Sequence, residues 1–120
     1  MKDDVASLVA FVAARLITGK NASSIYDYGR GGYHSISGNV SSSTVNVYDY
    51  EAGSHFGGSG SSNDLSLYHY GHGHHVSLKV RGKQFEGYDY GSSCHFSGTV
   101  SGTSISLYDY GTGSYRNYSI

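Results

Sequence analysis

The stretch CHFSGTVSGTSISLYDYG, residues 94–111, reads as two short strands joined by a tight turn. Between Val100 and Thr103 lies Ser101-Gly102, a two-residue loop of the kind that closes hairpins. Pairing Val100 with Thr103 sets Gly98 opposite Ile105 and Phe96 opposite Leu107. One face then carries Phe96, Gly98, Val100, Thr103, Ile105, Leu107 and Asp109. The other carries His95, Ser97, Thr99, Ser104, Ser106, Tyr108 and Tyr110. An apolar row alternating with a polar row is the period-two signature of half-buried strands.

Outward from this hairpin the pattern recurs. Tyr-Asp-Tyr-Gly or a close variant begins at Tyr26, Tyr48, Tyr68, Tyr88 and Tyr108, at intervals of 22, 20, 20 and 20 residues. The same rule gives inward rows Ile36, Gly38, Val40, Ser43, Val45, Val47, Asp49, then Phe56, Gly58, Gly60, Asn63, Leu65, Leu67, His69, then Val76, Leu78, Val80, Lys83, Phe85, Gly87, Asp89. YDYGRGGYHSISG from Tyr26 and YDYGTGSYRNYSI from Tyr108 align without a gap, so the longer first interval reflects a loop two residues longer. The expectation is an antiparallel meander of ten short strands at roughly 23–28, 33–40, 43–50, 54–60, 63–70, 74–80, 83–90, 94–100, 103–110 and 115–120.

Ahead of the repeats stands DDVASLVAFVAARLITGK. Asp3 or Asp4 can cap and complement a helix N-terminus, and Gly19 followed by Lys20 is a stop signal. From Val5 to Ala14 the one polar residue is Ser7. A helix apolar all round is buried all round or spans a membrane. This run is shorter than the roughly 18 residues a span needs, and Arg15 interrupts it. Ten strands with one apolar face and one helix needing cover on every side predict a closed barrel around the helix, since an even number of meander strands lets the first and last pair. Ten tilted strands enclose a radius of roughly 10 Å, enough for a slim helix. The inward glycines Gly38, Gly58, Gly60, Gly87 and Gly98 and the helix alanines would permit close approach between the two. An open sheet covering the helix is the nearer rival fold. A parallel β-solenoid would stack equivalent Asp residues about 4.8 Å apart, an unfavourable ladder of like charges.

The chain reads as a single domain, residues 1–120, with the buried helix at 3–19 and the hairpin repeats at 23–120. The short link from Gly19 to the first strand puts the helix C-terminus at the tight-turn end. There the inward residues Ser43, Asn63, Lys83 and Thr103 would give Arg15 and Thr18 a polar surrounding. The helix N-terminus then faces the Tyr-Asp-Tyr end, where Asp27, Asp49, His69, Asp89 and Asp109 would ring the positive end of its dipole.

Composition narrows the partners. The chain has 120 residues, 18 Gly, 13 Tyr, no Pro, a single cysteine and a formal net charge of −1. No basic stripe suits a phosphate backbone and no polybasic patch suits anionic lipid, so nucleic acid and membrane surfaces are disfavoured. A lone Cys94 precludes an internal disulfide, and Asp3-Asp4 stands where a signal peptide carries basic residues; the expectation is a cytoplasmic protein with no signal peptide or transmembrane segment. The abundance of tyrosine argues against disorder, while Gly/Ser/Tyr-rich sequence also suits a self-assembling tract.

Three groups of residues are candidates for function. The outward row predicts a belt of alternating Tyr and His, comprising Tyr48, Tyr50, His55, Tyr68, Tyr70, His75, Tyr88, Tyr90, His95, Tyr108 and Tyr110, in which Tyr90 and Tyr108 both pair with His95. Such a belt is a stacking platform for sugar or bases, or a set of cross-strand pairs worth about 0.2–1 kcal/mol each. The inward Asp27, Asp49, His69, Asp89 and Asp109 could hold a hard cation, or accept hydrogen bonds from loop and helix N–H groups and shape the turns. HYGHGHH, residues 69–75, adds His72 and His74 to the weak metal candidates, but its spacing matches no zinc pattern and a solvated loop is the simpler reading. Cys94 sits on an inward row as a small core residue. No nucleophile elbow, P-loop or dinucleotide fingerprint is present, and neither GRGG at Gly29 nor GTGS at Gly111 precedes a helix.

In its Tyr-Asp dipeptide and its period, LYDYGTGSY resembles the YD repeats of large secreted toxin shells, which also build sheets from hairpins. The Gly-Arg-Leu that follows in those repeats is absent here, and Arg30 is the only arginine near the corresponding place. That likeness is read as convergence of hairpin chemistry. The leading expectation is a non-enzymatic binding domain without a cofactor, using the Tyr/His belt and Gly-rich loops to hold carbohydrate or protein. The alternatives are a structural protein that assembles into an oligomer or fibre through its tyrosines, and a cation-binding protein or enzyme using the Asp ring.

Overall fold

A computed structural model describes all 120 residues. The apolar run forms α1 (Asp3–Thr18), and every residue from Val5 to Ala14 is buried. Gly19 closes it in the left-handed conformation with φ 68°, its N–H donating to the Arg15 carbonyl, as a glycine stop should. The start differs from expectation. Lys2 occupies the cap position with no side-chain hydrogen bond, while Asp3 and Asp4 lie in the first turn, where their charge complements the helix dipole.

Around α1 runs a closed antiparallel barrel of ten strands: β1 (Ser24–Asp27), β2 (Gly32–Val40), β3 (Thr44–Asp49), β4 (Ser54–Ser61), β5 (Asp64–His69), β6 (His74–Arg81), β7 (Gln84–Asp89), β8 (Cys94–Ser101), β9 (Ser104–Asp109) and β10 (Ser114–Ser119). Each strand pairs with its neighbours in sequence, and β1 pairs with β10 through Tyr26↔Ser119 and Asp27↔Tyr118. That closing seam is the shortest ladder in the barrel. The inward rows meet α1 in one core that includes Phe11, Phe56, Phe96, Leu67, Leu78 and Leu107. No helix is long and apolar enough to cross a membrane.

The register differs from expectation by two residues. Val100 pairs with Ile105, and Gly98 with Leu107, so the turn is Gly102-Thr103 rather than Ser101-Gly102. Gly82 and Gly102 occupy the first turn position with φ of 58° and 60°, the conformation a tight hairpin turn asks of that position. A shift of two leaves every side chain on its assigned face but moves Ser43, Lys83 and Thr103 out of the barrel mouth into exposed turns. Arg15 therefore finds other partners: its guanidinium donates to the Gly38 carbonyl at 2.8 Å and to Asn21 Oδ1 at 2.7 Å.

The inward glycines also act differently from the expectation. A Cβ at Gly58 would lie 2.0 Å from the Ser66 carbonyl oxygen, and one at Gly87 would lie 1.9 Å from that of Ser77. What these glycines admit is the backbone of the adjacent strand, and at Gly87 and Gly98 also the rings of Phe96 and Phe85, not the helix. They mark the bends by which short strands coil into a small closed barrel. At the opposite end, the residue four after each ring position adopts φ between 66° and 72° at Gly31, Gly53, Gly73 and Gly113, whereas the equivalent Ser93 has φ 52°.

Two stability outcomes follow. Gly58→Ala should lower unfolding free energy by about 1–3 kcal/mol through overpacking, whereas Gly32→Ala, with open space around its Cβ, should stay within about 0.5 kcal/mol. Ser93→Gly should raise it by about 0.5–1 kcal/mol by relieving a left-handed serine. Urea denaturation of the three variants checks both.

Candidate functional site

The outward side chains at the Tyr-Asp-Tyr end form a belt of five equivalent aromatic triplets. In each, a central half-buried tyrosine (Tyr26, Tyr48, Tyr68, Tyr88 or Tyr108) is met edge-on by the tyrosine two residues later at 4.7–5.0 Å between ring centroids. On its other side it is met edge-on by the aromatic residue opposite it on the next strand, at 4.7–4.8 Å. These cross-strand partners are Tyr33, His55, His75, His95 and Tyr115.

The belt residues lie where expected, but the pairing is exchanged. His95 faces Tyr88, not Tyr90, and on its other side it lies beside Tyr110, whose N–H donates to the His95 carbonyl at 3.1 Å, rather than beside Tyr108. Likewise His55 lies between Tyr48 and Tyr70, and His75 between Tyr68 and Tyr90. The two-residue register shift is the cause. Tyr26, Tyr28, Tyr33 and Tyr115 complete the circle and were missed. The gapless alignment of the first and last repeat segments, which sets Tyr33 and Tyr115 where other repeats have His, is the signal that identifies them.

Beside the belt, the outer faces of β7–β9 form a shallow groove of about 730 Å³. Its lining includes the small polar Ser97, Thr99 and Ser106 with the carboxylate of Glu86, and these short side chains are what leave the surface concave. Tyr108, Tyr110 and Tyr115 stand at the belt end, and Lys79 and Arg81 at the tight-turn end. Tyr110 Oη and Ser97 Oγ lie 3.3 Å apart, within hydrogen-bond reach, which steadies the aromatic wall.

Inside the same end, the five ring positions are buried and serve mainly as turn anchors. Oδ1 of Asp27, Asp49, Asp89 and Asp109 each accepts the backbone N–H two residues on, at 2.8–3.0 Å. His69 anchors its turn through Nδ1, which accepts the N–H three residues on, that of His72, at 3.0 Å. These are loop N–H groups; the helix N–H groups are not the donors. The ring also does not gather into one cation site. The trio of His, Asp, Glu or Cys groups whose ligand atoms converge within 4.8 Å is instead Asp4, His69 and His72, and Asp4 was not among the candidates.

Charge is concentrated near the closing seam. Asp109 Oδ2 lies 3.1 Å from the Met1 amino group and 3.4 Å from the Arg116 guanidinium. Burial alone would raise the Asp109 carboxyl, but the Met1 amino group, the Gly111 N–H and Arg116 together hold it below its ordinary value. Arg116 also bonds Asp3 Oδ1 at 2.7 Å and the Met1 carbonyl at 2.7 Å. Glu51, which replaces the glycine after Tyr-Asp-Tyr, joins Arg30 to the buried His34. Burial opposes its ionisation, yet Arg30 and His34 keep its carboxyl below the usual range. His34 and Arg116 occupy corresponding inward positions on either side of β1, a placement that strand alternation shows but turn motifs do not. Burial pushes the Cys94 thiol up, so it is a poor nucleophile.

No family model matches the chain, and neither a curated protein nor a solved structure shows significant similarity to it.

Because the Asp109 carboxyl is depressed in the fold, its contribution is complete above the ordinary carboxylate range and is lost as pH falls through and below about 4. Asp109→Asn should therefore cost about 1–3 kcal/mol at pH 7. The gap from the parent protein should narrow at pH 3, as read from urea midpoints at the two pH values.

Proposed function

We propose that this protein is a non-enzymatic binding module that takes carbohydrate in the groove over β7–β9, with the tyrosine belt as its stacking wall. The observation that carries the reading is the junction of Tyr108, Tyr110 and Tyr115 with a floor of Ser97, Thr99, Ser106 and Glu86. Sugars present alternating C–H faces and hydroxyl edges. An aromatic wall takes the first and a floor of hydroxyls and a carboxylate takes the second. Tyr110 and Tyr115 are 58 % and 68 % exposed, and their edge-on packing against Tyr108 holds them in place at little entropic cost to a ligand.

A non-catalytic role is supported by the engagement of the ring carboxylates: each uses one oxygen to hold a turn, and Asp109 is further neutralised by Arg116 and the Met1 amino group. The near-neutral charge suits an uncharged ligand better than a polyanion. A second reading, assembly or protein contact through the belt, is favoured by tyrosines that stand 58–74 % exposed around the whole circumference.

A glycan array followed by calorimetry on the best ligand tests the first reading. Tyr110→Ala and Tyr115→Ala should each weaken binding roughly tenfold, with the fold retained by circular dichroism. Absence of array binding together with concentration-dependent sedimentation that Tyr110→Ala abolishes would replace carbohydrate recognition with assembly.

A further inference from the structure

Positions shared by the repeats record the building unit, so positions that one repeat alone alters ask for a separate explanation. The loop after β5 carries one such change, His69, together with two histidines that no other repeat has at their places. His69 stands where the other repeats have Asp27, Asp49, Asp89 and Asp109. His72 stands where they have Arg30, Ala52, Ser92 and Thr112. His74 stands where they have Gly32, Ser54, Cys94 and Ser114. The three imidazoles stack, with His69 and His72 ring centroids 4.4 Å apart and inclined at 25°. The first turn of α1 brings Asp4 to this loop.

Asp4 Oδ2 lies 2.8 Å from His72 Nε2 and 3.4 Å from His69 Nε2. His69 is 1 % exposed, and its Nε2 makes no hydrogen bond, to Asp4 or to anything else. A buried ring nitrogen without a partner, aimed at a carboxylate and a second imidazole, is an unsatisfied group of the kind an ion completes. The spacing suits one. Metal–nitrogen and metal–oxygen bonds of about 2.0–2.1 Å in a tetrahedral site separate neighbouring ligand atoms by about 3.3 Å. The Asp4–His69 edge already has that length, and the Asp4–His72 edge would need to open by about half an ångström.

We propose that Asp4 Oδ2, His69 Nε2 and His72 Nε2 form a three-ligand site for a borderline divalent transition metal ion, leaving a fourth position to water. Two imidazoles and one carboxylate select zinc, nickel or copper over calcium and magnesium, which want more oxygen ligands. Binding has two definite costs. The hydrogen bond that His72 Nε2–H donates to Asp4 Oδ2 is lost, its proton displaced by the ion. His69 Nδ1 accepts the His72 N–H, so the metal-free neutral ring carries its proton on Nε2. The ion displaces that proton and Nδ1 takes one up from solvent, whereupon the His72 amide loses its acceptor and must turn away. The ion thus ties the start of α1 to the β5–β6 loop and remodels that loop at the same time.

Zinc chloride titrated into the purified protein tests this by calorimetry and thermal melting. The parent should bind one equivalent, melt at a higher temperature when loaded, and show faster hydrogen exchange at the His72 amide. Asp4→Asn, His72→Ala and His69→Asp should each weaken zinc at least tenfold. All three variants should fold. The first is isosteric, the second restores the residue type at Ala52, and the third restores the ring aspartate, whose carboxylate holds the same turn in the other repeats. No binding by the parent, or parent-like binding by Asp4→Asn and His72→Ala, would overturn the site and assign any bound zinc to the exposed His55, His75 or His95.

Discussion

A helix with no polar face imposes the constraint from which the rest of this structure follows. From Val5 to Ala14 every side chain of α1 is out of contact with water, so the surrounding structure has to supply apolar surface through a full circle. A flat sheet covers one side of a helix and leaves the other wet. A closed sheet covers all of it, and ten strands enclose a space of about the right width. Closure also removes both sheet edges, which in a meander of such short, serine-rich strands would otherwise invite pairing with another chain.

Closing a small barrel bends its strands, and the inward glycines answer that demand. Their missing side chains admit the backbone of the neighbouring strand, so each repeat carries its own bend. The seam is the shortest ladder, and charge gathers there: Asp27 on β1 lies 4.0 Å from His34 on β2, and Arg116 on β10 is bonded to Asp3. Tyr118 is buried beside them, and desolvation holds its hydroxyl well above the ordinary tyrosine value, in the neutral form. The joint that hydrogen-bonded pairs close incompletely is thus filled by side chains unique to the first and last repeats.

The two ends of the barrel are chemically unlike because the helix has a direction. Its N-terminus lies among buried carboxylates and imidazoles, its C-terminus among tight turns where Arg15 and Gly19 satisfy the last carbonyl groups and the strand end. The belt sits outside the acidic end for a simpler reason: alternation along each strand sends Asp inward and its two flanking tyrosines outward. An aromatic belt outside and turn chemistry inside are therefore two readings of the same Tyr-Asp-Tyr tripeptide.

Alternation, turn glycines and the unbroken apolar run made the strands, the buried helix, its direction and the outward belt legible from the residues in order. Each strand falls within a residue or two of its expected place. These features depend on neighbours in the chain, and the face a side chain occupies survives any even slip of register. The register itself was legible only to within two residues, because Ser101-Gly102 and Gly102-Thr103 both make a two-residue loop; which turn forms is settled by the φ that Gly102 adopts in the closed sheet. The meeting of Asp4 with His69 and His72 and the link from Glu51 to His34 came only with the three-dimensional arrangement. The second joins residues 17 positions apart across neighbouring strands and turns on the register, since His34 lies opposite Glu51 once Ile36 pairs with Asp49. The first joins residues 65 to 68 positions apart, and no local pattern encodes which side of a helix meets which loop. That choice is made by how α1 is rotated within the barrel, which depends on the packing of all ten strands at once.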